Sequence, residues 1–290
     1  MNPKRWRAKL GHRTLILLAT VYCLFPIYFM LVQSLKTPQE DVFGNPLIVM
    51  NPTLENFEEL FERKGEVRGF VGDALRRSYP FLDWLANTLV VFAGSVAATL
   101  VASVAAAYAL GRLRPPGFRW WRRAIFATYV IPQTILFIPL FQVVNGLGLD
   151  DNLLALLLIY PSMALPFCVW MLSAYFQHLP REIEEAALIE GASRATAFFR
   201  IILPMSRPVL VAAGIFTLGT VASDFMIASV FLLTPNNQTI TAGLGTFDVA
   251  LDELAAVAGV NLLAIPVVTI SAVFARGYVR GLTAAMVEGA

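Results

Sequence analysis

A chain of 290 residues that is 57% apolar and only 14% charged is not composed like a soluble domain, in which about a quarter of the residues are charged. Its mean hydropathy of +0.66 requires lipid as part of the solvent. Its net charge of +2 offers no basic surplus for nucleic acid, and no nucleic-acid partner is expected. Cys23 and Cys168 lie within apolar runs, which argues against a disulfide framework or a metal pair. His12 and His178 flank such runs without a partner at metal-ligand spacing, so no metal site and no cofactor are expected on this chain.

A helix needs about 20 apolar residues to cross roughly 30 Å of hydrocarbon. Charge-poor runs at 14–35, 84–111, 124–149, 152–180, 208–233 and 254–275 predict an all-α integral membrane protein with six transmembrane helices. The first run follows a basic tail at 1–13. It is too long for a typical signal core and lacks a clear small-residue cleavage site, so it reads as an uncleaved span. Between the first two spans, 36–83 is an extracytoplasmic segment. Within it, 52–62 predicts a short amphipathic helix with Leu54, Phe57, Leu60 and Phe61 on one face. Such a helix suits a membrane surface, a partner or the protein's own body. The transmembrane core is 84–275, and 276–290 is a C-terminal tail.

Loop charges orient the spans. The N-terminal tail carries Lys4, Arg5, Arg7, Lys9 and Arg13, and the loop after the second span carries Arg112, Arg114, Arg119, Arg122 and Arg123, neither with an acid. The short loops on the other side hold Asp150, Asp151, Asp248, Asp252 and Glu253 and no base. Lys and Arg in short loops mark the cytoplasmic side, so both termini and the loop at 180–208 are expected there.

The second span carries Gly94, Ala98, Ala102 and Ala106 at every fourth position, a small-residue stripe that lets helices pack closely in lipid. Pro132, Pro139, Pro161, Pro166 and Pro266 lie in or near later spans and are expected to bend or break them. Asp224 is the only charged residue inside a predicted span. An intramembrane charge marks a functional site by default, and a helix broken at Asp224 would instead give it a structural role. Asp224 and Phe225 are the candidate substrate-pathway residues. The polar loop 234–247, with Asn236, Asn237 and Gln238, is a candidate contact for an outer binding protein or a turn-rich connection.

The stretch EAALIEGASRATAFFRIILP at 185–204 lies in a polar break between apolar runs. Pro180 ahead of it, acids near its start and Gly191 at its end predict a helix over 182–190. A second helical stretch, 194–203, returns to the membrane through Pro204 and Pro208. Ala186 and Ala187 keep one face small enough for another protein to approach closely. No ATPase motif exists in the chain. Of its four lysines only Lys36 precedes a Ser or Thr, and no glycine lies in the segment before it.

The spacing of Glu185, Ala186, Ala187 and Gly191, followed by Ile201, Leu203 and Pro204, resembles the EAA loop of bacterial ABC importer permeases. FPIYFMLVQSLKT at 25–37, NTLVV at 87–91, AYALGRLRPPG at 107–117, IPLF and LGLDDNLLALLL within 138–158 and VRGLTAAMVEG at 279–289 extend the likeness over nearly the whole chain. It is similar to the carbohydrate-type permeases, in particular the maltose-transporter-type second permease subunit. That resemblance implies a type I importer permease fold and a bacterial inner-membrane, multi-pass location. It also implies a second permease of different sequence, two ATPase subunits that bind ATP and Mg, and an extracytoplasmic sugar-binding protein. Glu185, Ala186, Ala187, Gly191, Ile201, Leu203 and Pro204 would couple to the ATPase. Asp224 and Phe225 occupy the place of an Asn-Asp-Phe or Asn-Glu-Phe sequence after a tryptophan, but here Ala222 and Ser223 precede them. Glu288 stands where relatives often carry lysine. The implied cargo is a disaccharide or short oligosaccharide.

Two other classes compete. An autonomous secondary transporter would use Asp224 for ion coupling and leaves the 185–204 spacing unexplained. An intramembrane enzyme has no supporting motif: there is no HExxH, no paired intramembrane aspartate and no Ser–His arrangement.

Overall fold

A computed structural model describes residues 3–61, 65–67, 75–77, 80–246 and 253–287, with side chains described within 12–61, 80–132, 135–246 and 253–274. Glu288 and the acids Asp248 and Asp252 lie outside the described residues. The described residues are mainly helical, with one antiparallel strand pair among them, β1 (Gly65–Val67) with β2 (Leu75–Arg77), in which Gly65 pairs with Arg77. The chain divides into two compact units. One comprises Met1–Phe81 and Thr246–Ala264; the other comprises Leu82–Gly245 and Ile265–Ala290.

In the first unit, α1 (Pro3–Ser34) presents Leu15, Leu17 and Tyr22 at 69, 63 and 81% exposure, as a helix solvated by lipid would. After it, Thr37 caps α2 (Pro38–Phe43) by accepting the Glu40 amide at 3.3 Å, with Pro38 at the first helical position. The Glu40 carboxylate accepts the amides of Met50 and Asn51, closing the loop that follows. In α3 (Glu55–Phe61), buried Asn56 donates to the carbonyls of Ser34 at 2.9 Å and Lys36 at 2.8 Å. This alters the expected amphipathic face: α3 buries Asn56 and Leu60, while Leu54 and Phe61 remain exposed.

In the second unit, α4 (Phe81–Tyr108) runs on through a π-helical turn at Ala109–Leu113 and stops where Arg114 turns left-handed at φ 50°. Its buried side is not the Gly94–Ala106 stripe. Ala98 and Ala102 are exposed, and the buried line runs one residue on, through Val91, Ser95, Thr99, Ser103 and Ala107. Small hydroxyl residues pack as closely as alanine, and burying them in protein keeps their polar atoms out of hydrocarbon.

The third predicted span is not one helix. It is α5 (Phe118–Tyr129) and α6 (Gln133–Gly146), of 12 and 14 residues. Pro132 stands at the break with ψ 127°; it has no amide to donate and disfavours a helical Ile131. By contrast α7 (Leu153–His178) contains Pro161 and Pro166 and remains continuous. It is the centre of the second unit. Cys168, Met171, Leu172 and Phe176 of α7 meet Val209, Ala212 and Ala213 of α11 (Arg207–Ala222) in a buried cluster that includes Ala107. Gly111 sits so close to α7 that a β-carbon there would lie 2.8 Å from the Ser173 carbonyl.

Among the described residues, four helical stretches are long and apolar enough to cross a membrane: His12–Ser34, Phe81–Leu113, Leu153–His178 and Glu253–Phe274. The last belongs to α14 (Glu253–Val287). A fifth arises if Arg194–Met205 and Arg207–Ala222, bent by 71°, are taken as one span. The predicted run at 208–233 breaks at Ser223–Phe225, between α11 and α12 (Met226–Phe231).

Candidate coupling hairpin and pathway break

The stretch 180–206 forms a helical hairpin. α8 (Arg181–Ile189) begins after Pro180 and has Glu182 and Glu184 in its first turn, where the helix dipole favours acids. It ends at Gly191, whose φ is +87°. The amide of Gly191 donates to the Leu188 carbonyl at 3.1 Å, and that of Ala192 to the Ala187 carbonyl at 3.0 Å. This is a Schellman stop, which requires the left-handed conformation that glycine adopts without steric cost. Ser193 then caps α9 (Arg194–Ala197), accepting the Thr196 amide at 3.1 Å. A π-helical turn at Phe198–Ile202 and the short α10 (Leu203–Met205) complete the return leg.

Both legs are anchored to the end of α4. The Arg112 guanidinium, with 5% of its side chain exposed, donates from Nε to Glu184 at 2.8 Å. Its remaining nitrogens donate to the carbonyls of Leu179 at 2.6 Å and Pro180 at 2.9 Å. Tyr108 donates its hydroxyl to the other Glu184 oxygen at 2.8 Å. The Tyr108 ring packs on Phe198 of the return leg, with centroids 4.6 Å apart. One tyrosine therefore touches both legs, and Ile202 fixes the second leg in the buried cluster. Partial burial pushes the Glu184 carboxyl up, but hydrogen bonds from Arg112 and Tyr108 and the charges of Arg112 and Arg194 outweigh this and hold it below the usual carboxylate range.

The hairpin presents Glu185, Ala186, Ile189 and Gly191 to solvent, with Ile189 at 86% exposure, and Ala187 is half-buried. Ile201, Leu203 and Pro204 are half-buried on the return leg. They lie away from the exposed tip. A polar cleft of about 240 Å³ beside α8 is lined by Arg112, Arg181, Glu184, Glu185, Leu188 and Arg194, with Leu113 at its edge. Sequence reading missed Arg112 and Tyr108 as anchors. The available signal was an arginine one turn beyond an apolar helix, counted there only as a loop charge.

Asp224 sits at the break between α11 and α12. Its carboxylate accepts the amides of Ile227 at 3.3 Å and Ala228 at 3.1 Å, capping α12. It also accepts the hydroxyl of buried Tyr160 at 2.8 Å. Phe225 beside it is 51% exposed. Its ring lies where a β-carbon on Gly245 would stand.

The three candidate residues of the 234–247 loop part company. Asn236 is exposed and donates to Asp83 at 3.1 Å. Asn237 donates to the Asp151 carboxylate and carbonyl at 3.1 and 2.8 Å. Gln238 is buried, with its amide directed to the Leu232 carbonyl at 3.3 Å, so its side chain does not offer itself to an outer protein. Asn87 of α4 donates to the carbonyls of Asn236 and Gln238 at 2.8 and 2.9 Å. Asp151 also accepts the amides of Leu233 and Thr234 at 2.8 and 3.0 Å. Burial raises its pKa, and these hydrogen bonds, with those of the Thr234 and Asn237 side chains, lower it further than burial raises it. The first part of the loop, residues 233–238, is thus tied down. Among the described residues no three His, Cys, Asp or Glu side chains converge on a metal-sized site.

Known proteins share this architecture. The chain is 30% identical to the inner membrane ABC transporter permease protein YcjP of Escherichia coli strain K12, over 99% of each chain. It is likewise 30% identical to the trehalose/maltose transport system permease protein MalG of Thermococcus litoralis, over 94% of each. A bacterial ABC transporter involved in the import of the acidic polysaccharide alginate matches with a TM-score of 0.75 at 18% identity, covering 95% of this chain and 98% of that one; at that identity the likeness speaks for the fold. Residues 98–283, which include the hairpin and the break at Asp224, match the binding-protein-dependent transport system inner membrane component family, and the chain belongs to it.

Proposed function

We propose that this permease forms half of the translocation pathway of an ATP-driven sugar importer and receives the ATPase stroke through the 180–206 hairpin. A single observation carries the coupling reading. The exposed tip at Glu185, Ala186 and Gly191 stands on a base fixed by the buried Arg112–Glu184 pair. A rigid hairpin transmits displacement to α4 and α7, whereas a mobile loop would absorb it. Ile201, Leu203 and Pro204 then belong to the lever's return leg, and Glu185, Ala186, Ala187 and Gly191 to its docking face.

In this reading six spans cross the membrane with both termini cytoplasmic. α5 and α6 together make the third span, and α11 with α12 the fifth. A second permease of different sequence supplies the other half, two ATPase subunits bind ATP and Mg, and an outer binding protein delivers the cargo. Asp224 shapes the pathway by holding α12 open from α11, which leaves Phe225 on its surface. The trehalose/maltose permease to which the chain is similar supports a disaccharide or short oligosaccharide as cargo. The test is ATP hydrolysis by the complex co-purified in lipid, with its binding protein and a panel of sugars. Stimulation by a binding protein loaded with one such sugar is expected. A stable complex stimulated by none of them would sink the carbohydrate assignment.

A further inference from the structure

The arginine-rich connection between α4 and α5 has a composition that coupling does not explain. Residues 112–123 hold five arginines and no acid. Arg112 is committed to Glu184. Arg114, Arg119, Arg122 and Arg123 have no carboxylate partner among the described residues. The guanidinium carbons of Arg114 and Arg119 lie 5.8 and 5.7 Å from the centre of the Phe118 ring, which holds two positive charges near one another. α5 packs on the bundle through Phe126 and Tyr129, which meet Trp170 and Phe167. Around the start of α5, Arg119, Trp120 and Arg123 are exposed, Arg123 lying four residues from Arg119 and three from Trp120. Trp120 is 72% exposed and Trp121 63% exposed.

Two bare indoles beside unpaired arginines are costly against water. They suit the zone where hydrocarbon gives way to headgroups, because an indole sits stably there and arginine pairs with phosphate. The chain segment is also near that zone, since α5 starts only a few residues beyond the apolar stretch that ends at Leu113.

We infer that the outward face of α5 is a binding surface for anionic phospholipid headgroups. Arg119 and Arg123 meet the phosphates, and Trp120 and Trp121 seat the helix in the interface. Charge complementarity selects an anionic lipid over a zwitterionic one, since the face presents only positive groups. The proposed orientation assigns it to the cytoplasmic leaflet; the binding surface itself does not depend on the coupling reading.

The probe is lipid with brominated acyl chains, which quenches tryptophan on contact. The full chain, without its ATPase partner, is placed in nanodiscs of phosphatidylcholine with phosphatidylglycerol, brominated on one lipid or the other. Subtracting the signal of a W120F/W121F variant isolates the two exposed indoles. Brominated phosphatidylglycerol is expected to quench them more strongly than an equal amount of brominated phosphatidylcholine. That preference should fall by about fivefold for each arginine removed in R119Q/R123Q, and R119K/R123K should retain most of it. Equal quenching by the two lipids, or an unchanged preference in R119Q/R123Q, overturns the inference. Indoles that no brominated lipid reaches, but whose emission shifts when the ATPase is added, would assign the face to protein instead and overturn it equally.

Discussion

Arg112 and Glu184, 72 residues apart in sequence, meet at 2.8 Å where α4 ends and α8 begins. Arg112 is buried and Glu184 partly buried, so removing either member leaves an incompletely compensated charge and should cost about 2–3 kcal/mol. R112A should be worse than E184A, because Arg112 also satisfies the carbonyls of Leu179 and Pro180 at the end of α7. Thermal melting of the purified permease checks this order. Equal or negligible effects would mean that the pair does not hold the hairpin.

Acid should loosen the same joint. The folded-state pKa of Glu184 is depressed, so its stabilisation is fully present above the unfolded value of about 4.3 and is lost as pH falls through the lower folded value. The melting temperature of the wild type should therefore fall more steeply below about pH 4 than that of E184Q. Some slope persists in E184Q because Asp151 is depressed as well. Parallel curves for the two proteins would contradict the assignment.

Two glycines of the second unit, Gly243 and Gly245, should respond differently to the same substitution. A β-carbon on Gly243 would overlap the ring of Trp84, which is 1% exposed and donates its indole N–H to the Pro235 carbonyl at 2.7 Å. A β-carbon on Gly245 would overlap Phe225, which is half exposed and free to swing. G243A should cost about 1–3 kcal/mol of stability by overpacking, and G245A much less. A melting series on the two variants separates them.

For Asp224, asparagine is as good an N-cap as aspartate. D224N should keep near-normal ATP-driven uptake, while D224A should lose about 1 kcal/mol of local stability and part of the uptake. An ion-coupled transporter would instead lose transport in D224N. Uptake by vesicles containing each variant decides between them.

What could be read in the sequence was local. The bounds of α8 and its stop at Gly191 follow from Pro180, the leading acids and a glycine at the right place, and all of these act within one helical turn. The break beside Asp224 was open as one of two readings for the same reason. The Arg112–Glu184 joint was invisible because its partners are distant in sequence. The buried side of α4 was misjudged by one residue because Ser95, Thr99 and Ser103 pack as small residues although they count as polar. Pro132 divided the third span, whereas Pro161 and Pro166 did not divide α7. α7 stays continuous through both prolines where many of its residues are buried against neighbours, and no local rule anticipates that. Gln238 looked accessible in a polar loop until the structure placed it inside.

The docking claim rests most directly on Gly191. A β-carbon there meets nothing within 4 Å, so a side chain would disturb only the left-handed stop and the surface offered to a partner. The decisive measurement compares ATPase association and sugar-stimulated ATP hydrolysis in complexes of wild type, G191N and G191D, with membrane insertion checked in each. Asparagine tolerates the left-handed conformation and should be mild. G191D should insert normally and yet weaken association by roughly tenfold or more, about 1.4 kcal/mol of docking free energy. A G191D complex that assembles and hydrolyses ATP like the wild type would contradict the coupling role of the hairpin.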